Sequence, residues 1–248
     1  MNFLGHPFVA EKATNKFNSW LIAGSHLPDI WPFLTTTVFS FEEIHESPDK
    51  LWKYLQKNAP EVSDLALGMM THSVKFGADR YNREIENWLL DDKPEFRKQL
   101  VDKIVECSKI SYEVADKWRL HNYLWIGVDA YLLKNESDFV KKLEKIYPTI
   151  DREKISDLLS KVFNEDFLKV KDLIDRMFIP LIETPIDSIE SLAKAWKVAL
   201  SGLPEKDQVD EEKAIALFEE IYERFKEKWP GILSRVIKDT KKSLKPFV

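Results

Sequence analysis

Glycine is what this chain does without. Seven occur in 248 residues, and five of them (Gly5, Gly24, Gly68, Gly77, Gly127) fall within the first 127. Leu, Lys, Glu and Ala fill the places where a sheet protein would need turn formers, and these residues favour helix. Apolar side chains recur at spacings of three and four in most segments, the period of a half-buried helix. The pattern predicts helices from Pro7 to Asn15, from Ser19 to Ala23 with Gly24 as the stop, from Ser47 to Lys57, and from Ser63 to Leu90. It predicts further helices from Pro94 to Cys107 and from Ser111 to Asn135, then over 137–146, 151–163, 166–178, 187–201, 210–228 and 230–243. Residues 35–41, TTTVFSF, are the one strand-like stretch, and a single strand makes no sheet. The expected fold class is therefore all-α, a multi-helix bundle.

The chain is long enough for a substantial core. With 44% hydrophobic and 32% charged residues it is too apolar for disorder. The formal net charge of −5 argues against a dedicated nucleic-acid binder, which needs a basic face. One cysteine, Cys107, excludes an internal disulfide framework and suits a reducing compartment. No apolar run approaches the ~20 residues of a membrane span. The opening MNFLGHPFVAEK lacks the charged start and apolar core of a secretion signal, so the expected location is cytoplasmic. The amphipathic stretch 210–228 is balanced in charge and reads as a packing element rather than a membrane-surface helix.

All five histidines (His6, His26, His45, His72, His121) lie in the first half. That asymmetry, with a soft boundary at LKNES (133–137), divides a histidine-bearing region, 1–135, from a Lys/Glu-rich helical extension, 136–248, packed against it. The stretch FIPLIETPID (178–187) reads as another irregular connection. His72 sits on an apolar helical face near Leu67, Met70 and Val74, with Gly68 one turn earlier, and His121 has similar company in Leu120, Leu124 and Trp125. A lone histidine in such a place is usually a hydrogen-bonded core residue. Several of them with an aspartate in a turn point instead to a metal, because imidazole is the commonest metal ligand and zinc accepts His and Asp together.

Four features occur in order along the chain: His6 ahead of FVAEKA, the turn GSHLPD from Gly24 to Asp29, the loop HESPD at His45, and the helix ALGMMTH from Ala66 to His72, with His121 on a later helix. This series resembles the zinc-dependent phospholipase C family, whose helical fold also includes the S1/P1-type nucleases. The resemblance covers residues 1–130. The opening MNFLGH is also similar to acyl carrier protein phosphodiesterases. The family resemblance implies a phospholipase C/P1 nuclease-like bundle with added C-terminal helices. It implies one zinc site from Asp29, His45 and His72, with His6 beside it and His121 at a further metal position. It also implies zinc-assisted hydrolysis of a phosphodiester in a small molecule or a lipid.

The chain departs from the family pattern at Phe76 and Trp125, where the family has carboxylates one turn after each helical histidine. The next acids, Asp79 and Asp129, lie seven and eight residues beyond His72 and His121. On continuous helices those spacings are rises of ~10.5 and ~12 Å. The sequence thus predicts that neither acid shares an ion with its histidine, leaving Asp79 to a second ion or to an outer water. His26 is an outer partner of the ion or a turn cap. Lys75 and Arg80 are phosphate-contacting or merely solvated cations. The expectation is one zinc ion or none. The second outcome makes the chain a helical scaffold or binding protein that has lost its metal.

Overall fold

In the computed structural model the described residues are 3–33, 38–203 and 205–248, with the backbone alone for 31–33. Every regular element among them is helical. The first half comprises α1 (Gly5–Thr14), α2 (Ser19–His26), α3 (Asp49–Asn58), α4 (Asp64–His72), α5 (Glu84–Leu90), α6 (Pro94–Ser108), the single turn α7 (Tyr112–Val114) and α8 (Leu120–Asn135). The second half adds α9 (Ser137–Ile146), α10 (Arg152–Phe163), α11 (Phe167–Glu183), α12 (Ile189–Ser201), α13 (Glu211–Phe225) and α14 (Trp229–Leu244). The connections of the first half include the 3₁₀ turns Leu27–Phe33 and Ala78–Tyr81 and the π turns Glu42–Glu46 and Ala115–Arg119.

The all-α expectation holds, with three local differences. The pattern Ser63 to Leu90 is not one helix, because α4 stops at His72 and Ser73 turns extended (φ −50°, ψ 156°). Gly24 does not end α2, which runs two residues further to His26. Pro180 does not end α11 either. That helix continues to Glu183, with Phe178 and Leu181 anchored in the core on either side of the proline. Of the strand-like stretch 35–41, residues 35–37 lie outside the described residues, and Val38 and Phe39 form a bend.

α8 is the central post. Ten of its residues, from Leu120 to Leu132, are buried, and they point to all sides of the helix, the pattern of an element surrounded by others. α13, α5, α6, α1 and α9 pack around it. One contiguous apolar core runs from Leu4 to Val236, so the two halves share their interior rather than folding around separate ones. α14 closes the circle by lying against α1. Helices α10 to α13 each start on a side-chain cap, from Asp151, Asp166, Ser188 and Asp210. Each such cap contributes about 1 kcal/mol.

The closest crossing is α2 on α4. It depends on a pair of glycines, because a Cβ on Gly24 would collide with the Leu65 carbonyl and one on Gly68 with the Leu21 carbonyl. The two backbones therefore touch where any side chain would hold them apart. Gly68→Ala is expected to destabilise the protein by about 1–3 kcal/mol through overpacking. Thermal unfolding should then move down by about 2–4 °C per kcal/mol for a chain of this size. Gly231→Ala is the control. A Cβ there meets nothing, so the melting temperature should hold or rise slightly.

Candidate metal centre

The α2–α4 contact places the end of α4 beside the end of α2. His72, the last residue of α4, lies with Nδ1 2.7 Å from the Ser25 carbonyl oxygen. A carbonyl only accepts, so Nδ1 carries the proton and Nε2 is left with its lone pair. This is the arrangement that orients a metal-binding imidazole. The ring of His6, from the first turn of α1, stacks on that of His72 at 3.4 Å between centroids and 8° between planes. His45 enters from the π turn Glu42–Glu46, edge-on to His72 at 5.8 Å and stacked under Phe41 at 4.1 Å.

Two carboxylates complete the cluster. Asp29, in the 3₁₀ turn after α2, brings Oδ1 to 3.6 Å from Nε2 of His72 and Oδ2 to 3.8 Å from Nε2 of His6. Asp79 brings Oδ2 to 3.2 Å from Nε2 of His72 and 3.6 Å from Nε2 of His45, and Oδ1 to 3.6 Å from His6. The expectation that Asp79 lies too far from His72 is overturned. It assumed a continuous helix, whereas the chain reverses after Ser73. The Gly77 N–H bonds the Ser73 carbonyl at 2.8 Å and the Val74 N–H bonds the His45 carbonyl at 3.2 Å. Gly77 makes the reversal possible, since a Cβ there would collide with the Thr71 carbonyl.

The donors form two overlapping groups, His6–Asp29–His72 and His45–His72–Asp79. His72 belongs to both, and it has one free lone pair, so the groups describe one position and not two. The trio Asp29, His45 and His72 meets only through His72 and is joined by His6 and Asp79. Separations of 3.2–3.8 Å suit one ion. Two ligands about 2.1 Å from a metal at tetrahedral angles stand about 3.4 Å apart. Nε2 of His72 and both ring nitrogens of His6 are buried with no hydrogen-bond partner, which burial alone would penalise.

Electrostatics favour a cation here. Burial, and then the neighbouring His72, hold His6 well below the usual histidine range, and burial lowers His45 to about 4. Both rings are neutral ligands at neutral pH. Burial also works against a charged His72, yet Asp79 and Asp29 outweigh it and raise its pKa. Burial opposes the Asp79 carboxylate, but His72 and His6 hold it well below the usual carboxylate range. Burial pushes Asp29 up to about 6. With the His72 proton displaced, three neutral imidazoles and two carboxylates carry −2, the charge that a divalent cation cancels.

Three of the five donors, Asp29, His45 and Asp79, line a cavity of about 600 Å³, with His6 and His72 buried behind them. Asp29, with its side chain 40% exposed, is the donor most open to it, whereas the side chains of the other four are 7% exposed or less. The walls come from both halves: Phe3, Phe41 and Trp118 from the first, and Met177 and Leu181 of α11 with Trp196 of α12 from the second. Arg119, turned in by the π turn Ala115–Arg119, lines the cavity but is committed to Asp207 (2.9 Å, both oxygens) and Glu205 (2.7 Å). Lys194 of α12 also lines it and has no carboxylate partner among the described residues.

The remaining sequence candidates add no donor to the cluster, though His26 lines the same cavity. Asp129 accepts the backbone N–H groups of Phe3, Leu4 and Gly5 at 2.8, 3.1 and 2.8 Å. It caps the start of α1 and so fixes His6. Burial pushes its carboxyl up to about 7, with the three N–H groups pulling the other way. His121 joins no converging donor group among the described residues, and burial lowers it to about 3. His26 bonds the Tyr147 hydroxyl at 3.0 Å. Trp125 is fully buried core, and Phe76 packs edge-on against Phe247 at 5.3 Å. Lys75 pairs with Asp49 at 3.2 Å and Arg80 bonds the Lys75 carbonyl at 2.7 Å, so neither reaches the cavity. Nothing local in the sequence marks Arg119 or Lys194, because a cation's place on a cavity wall is set by distant helices.

Compared with known proteins, the chain matches no family model, no curated protein and no solved structure.

The two aspartates that come after the helical histidines should separate on mutation. Asp129→Ala leaves three backbone N–H groups without an acceptor and should cost about 2 kcal/mol or more, and by loosening His6 it should weaken metal binding without removing a donor. Asp79→Ala should lower metal content while the protein stays folded. Elemental analysis beside thermal melts reads both.

Proposed function

We propose that this protein is a metal-dependent phosphodiester hydrolase. The observation that carries the reading is the convergence of Nε2 from His6, His45 and His72 with the carboxylates of Asp29 and Asp79, from five separate segments, at a large cavity that Asp29, His45 and Asp79 line. Imidazole with carboxylate suits zinc first among the first-row divalent ions. The order of the motifs, resembling zinc-dependent phospholipase C, supports the reaction class.

The chain's own residues divide the work. His72, fixed by Ser25, holds its ring in one tautomer, and Asp79 spans the three imidazoles. Asp29 faces the cavity, at the side from which substrate arrives. A divalent ion held by these five residues would supply Lewis acidity toward a phosphoryl oxygen and acidify a water. Lys194 offers a positive charge to the substrate's anion, and Met177, Leu181 and Trp196 offer apolar surface to its organic arm. A small-molecule or lipid phosphodiester satisfies both. Among the described residues, no helix is long and apolar enough to cross a membrane. The single buried Cys107 supports a reducing, cytoplasmic setting.

The test is metal content of tag-free protein by mass spectrometry, followed by hydrolysis of bis(p-nitrophenyl) phosphate. About one zinc or similar ion per chain is expected. Chelation should abolish turnover, and His72→Ala should cost at least about 100-fold, beyond the loss typical of an outer partner. Protein that binds no ion after zinc, manganese and iron have each been offered is a helical scaffold and not a hydrolase.

A further inference from the structure

The C-terminal helix carries a charge pattern that neither the core nor the metal cluster uses. One face of α14 is spent on packing: Trp229, Ile232, Leu233, Val236 and Leu244 are buried. Its single carboxylate, Asp239, turns toward the first half and accepts the Tyr81 hydroxyl at 2.6 Å. The opposite face presents Arg235, Lys238, Lys241, Lys242 and Lys245, all exposed. At about 100° per residue the five fall within a sector of about 120°, over about 15 Å of helix rise.

None of the five pairs with a carboxylate among the described residues, and of the five only Arg235 lies over an aromatic ring, that of Trp88 at 4.8 Å. Elsewhere many cations pair across elements, as Lys103 with Glu220, Lys134 with Glu219 and Lys197 with Glu211, and α14 is distinguished by having five cations without a carboxylate partner on one face. Residues 229–248 hold five cations and one carboxylate, so the rest of the chain carries −9. A basic stripe therefore stands on an acidic protein. Such a distribution draws one face toward an anionic surface and keeps the others away.

We propose that this face of α14 docks on an anionic membrane surface. Clusters of four to eight Lys and Arg on an amphipathic helix are what phosphatidylserine-bearing leaflets attract. Four of the five cations are lysines, point charges that suit a diffuse layer of headgroups better than the fixed edges of bases. No exposed aromatic side chain stands in the stripe to stack a base. Because the apolar face of α14 is already committed to the core, the contact is peripheral and electrostatic, with no insertion. It is independent of the hydrolase reading and survives that reading's failure.

The full chain is mixed with sedimentable vesicles of phosphatidylcholine, alone or with about one-third phosphatidylserine. Binding is expected to the anionic vesicles only, and it should disappear as salt shortens the range of the attraction. Lys238→Gln/Lys242→Gln should lower the partition coefficient about 25-fold, about five-fold per lysine, with melting temperature and metal content unchanged. Failure to bind anionic vesicles at low salt overturns the proposal. So does equal binding to neutral vesicles, an undiminished partition of the double variant, or tighter binding to duplex DNA at the same salt.

Discussion

The hydrogen bond from His72 to the Ser25 carbonyl is the constraint on which the rest of the centre depends. It exists because α2 and α4 meet backbone to backbone at Gly24 and Gly68. If the helices stood a methyl group further apart, the imidazole would lose the acceptor that fixes its tautomer. His6 stacks on that ring, and both carboxylates lie within 4 Å of its Nε2 or its neighbour's. A close helix crossing, set by two absent side chains, is thereby converted into the position of one lone pair. Asp129 does the same for His6 by a different route, anchoring the start of α1 from the central post.

The cluster is costly as an apolar protein interior and sensible as a cation site. The buried Asp79 carboxylate and the ring nitrogens of His6 and His72 that lack hydrogen bonds oppose folding unless a positive charge joins them. In the ion-free chain the proton favoured on His72 is the only such charge the five residues can supply from within. The acids around Arg119 show the other solution, a buried guanidinium that satisfies Asp207 on both oxygens.

Much of this is legible in the sequence, for identifiable reasons. Glycine scarcity and three-to-four spacing reveal the helices because those patterns are local. His6, Asp29, His45 and His72 can be selected because each sits in a short motif with its own Gly or Pro punctuation. Asp79 is hidden because apolar periodicity continues through Val74 and Phe76 and conceals the reversal. Ser73 and Gly77 are the only local signs, since both are poor helix formers. Asp129 looks like a ligand because the sequence does not say that its partners are three backbone N–H groups more than a hundred residues away. Pro180 looks like a stop because a proline's effect near a helix end depends on what anchors its neighbours.

The five donors all precede residue 80, whereas α11 and α12, which wall the cavity above them, begin at Phe167 and Ile189. During synthesis the ion site can therefore assemble well before the chamber over it is closed. In descent the two are separable as well. Substitutions in the later helices can reshape their side of the chamber while leaving every donor atom untouched, so part of the selectivity is free to change without the chemistry.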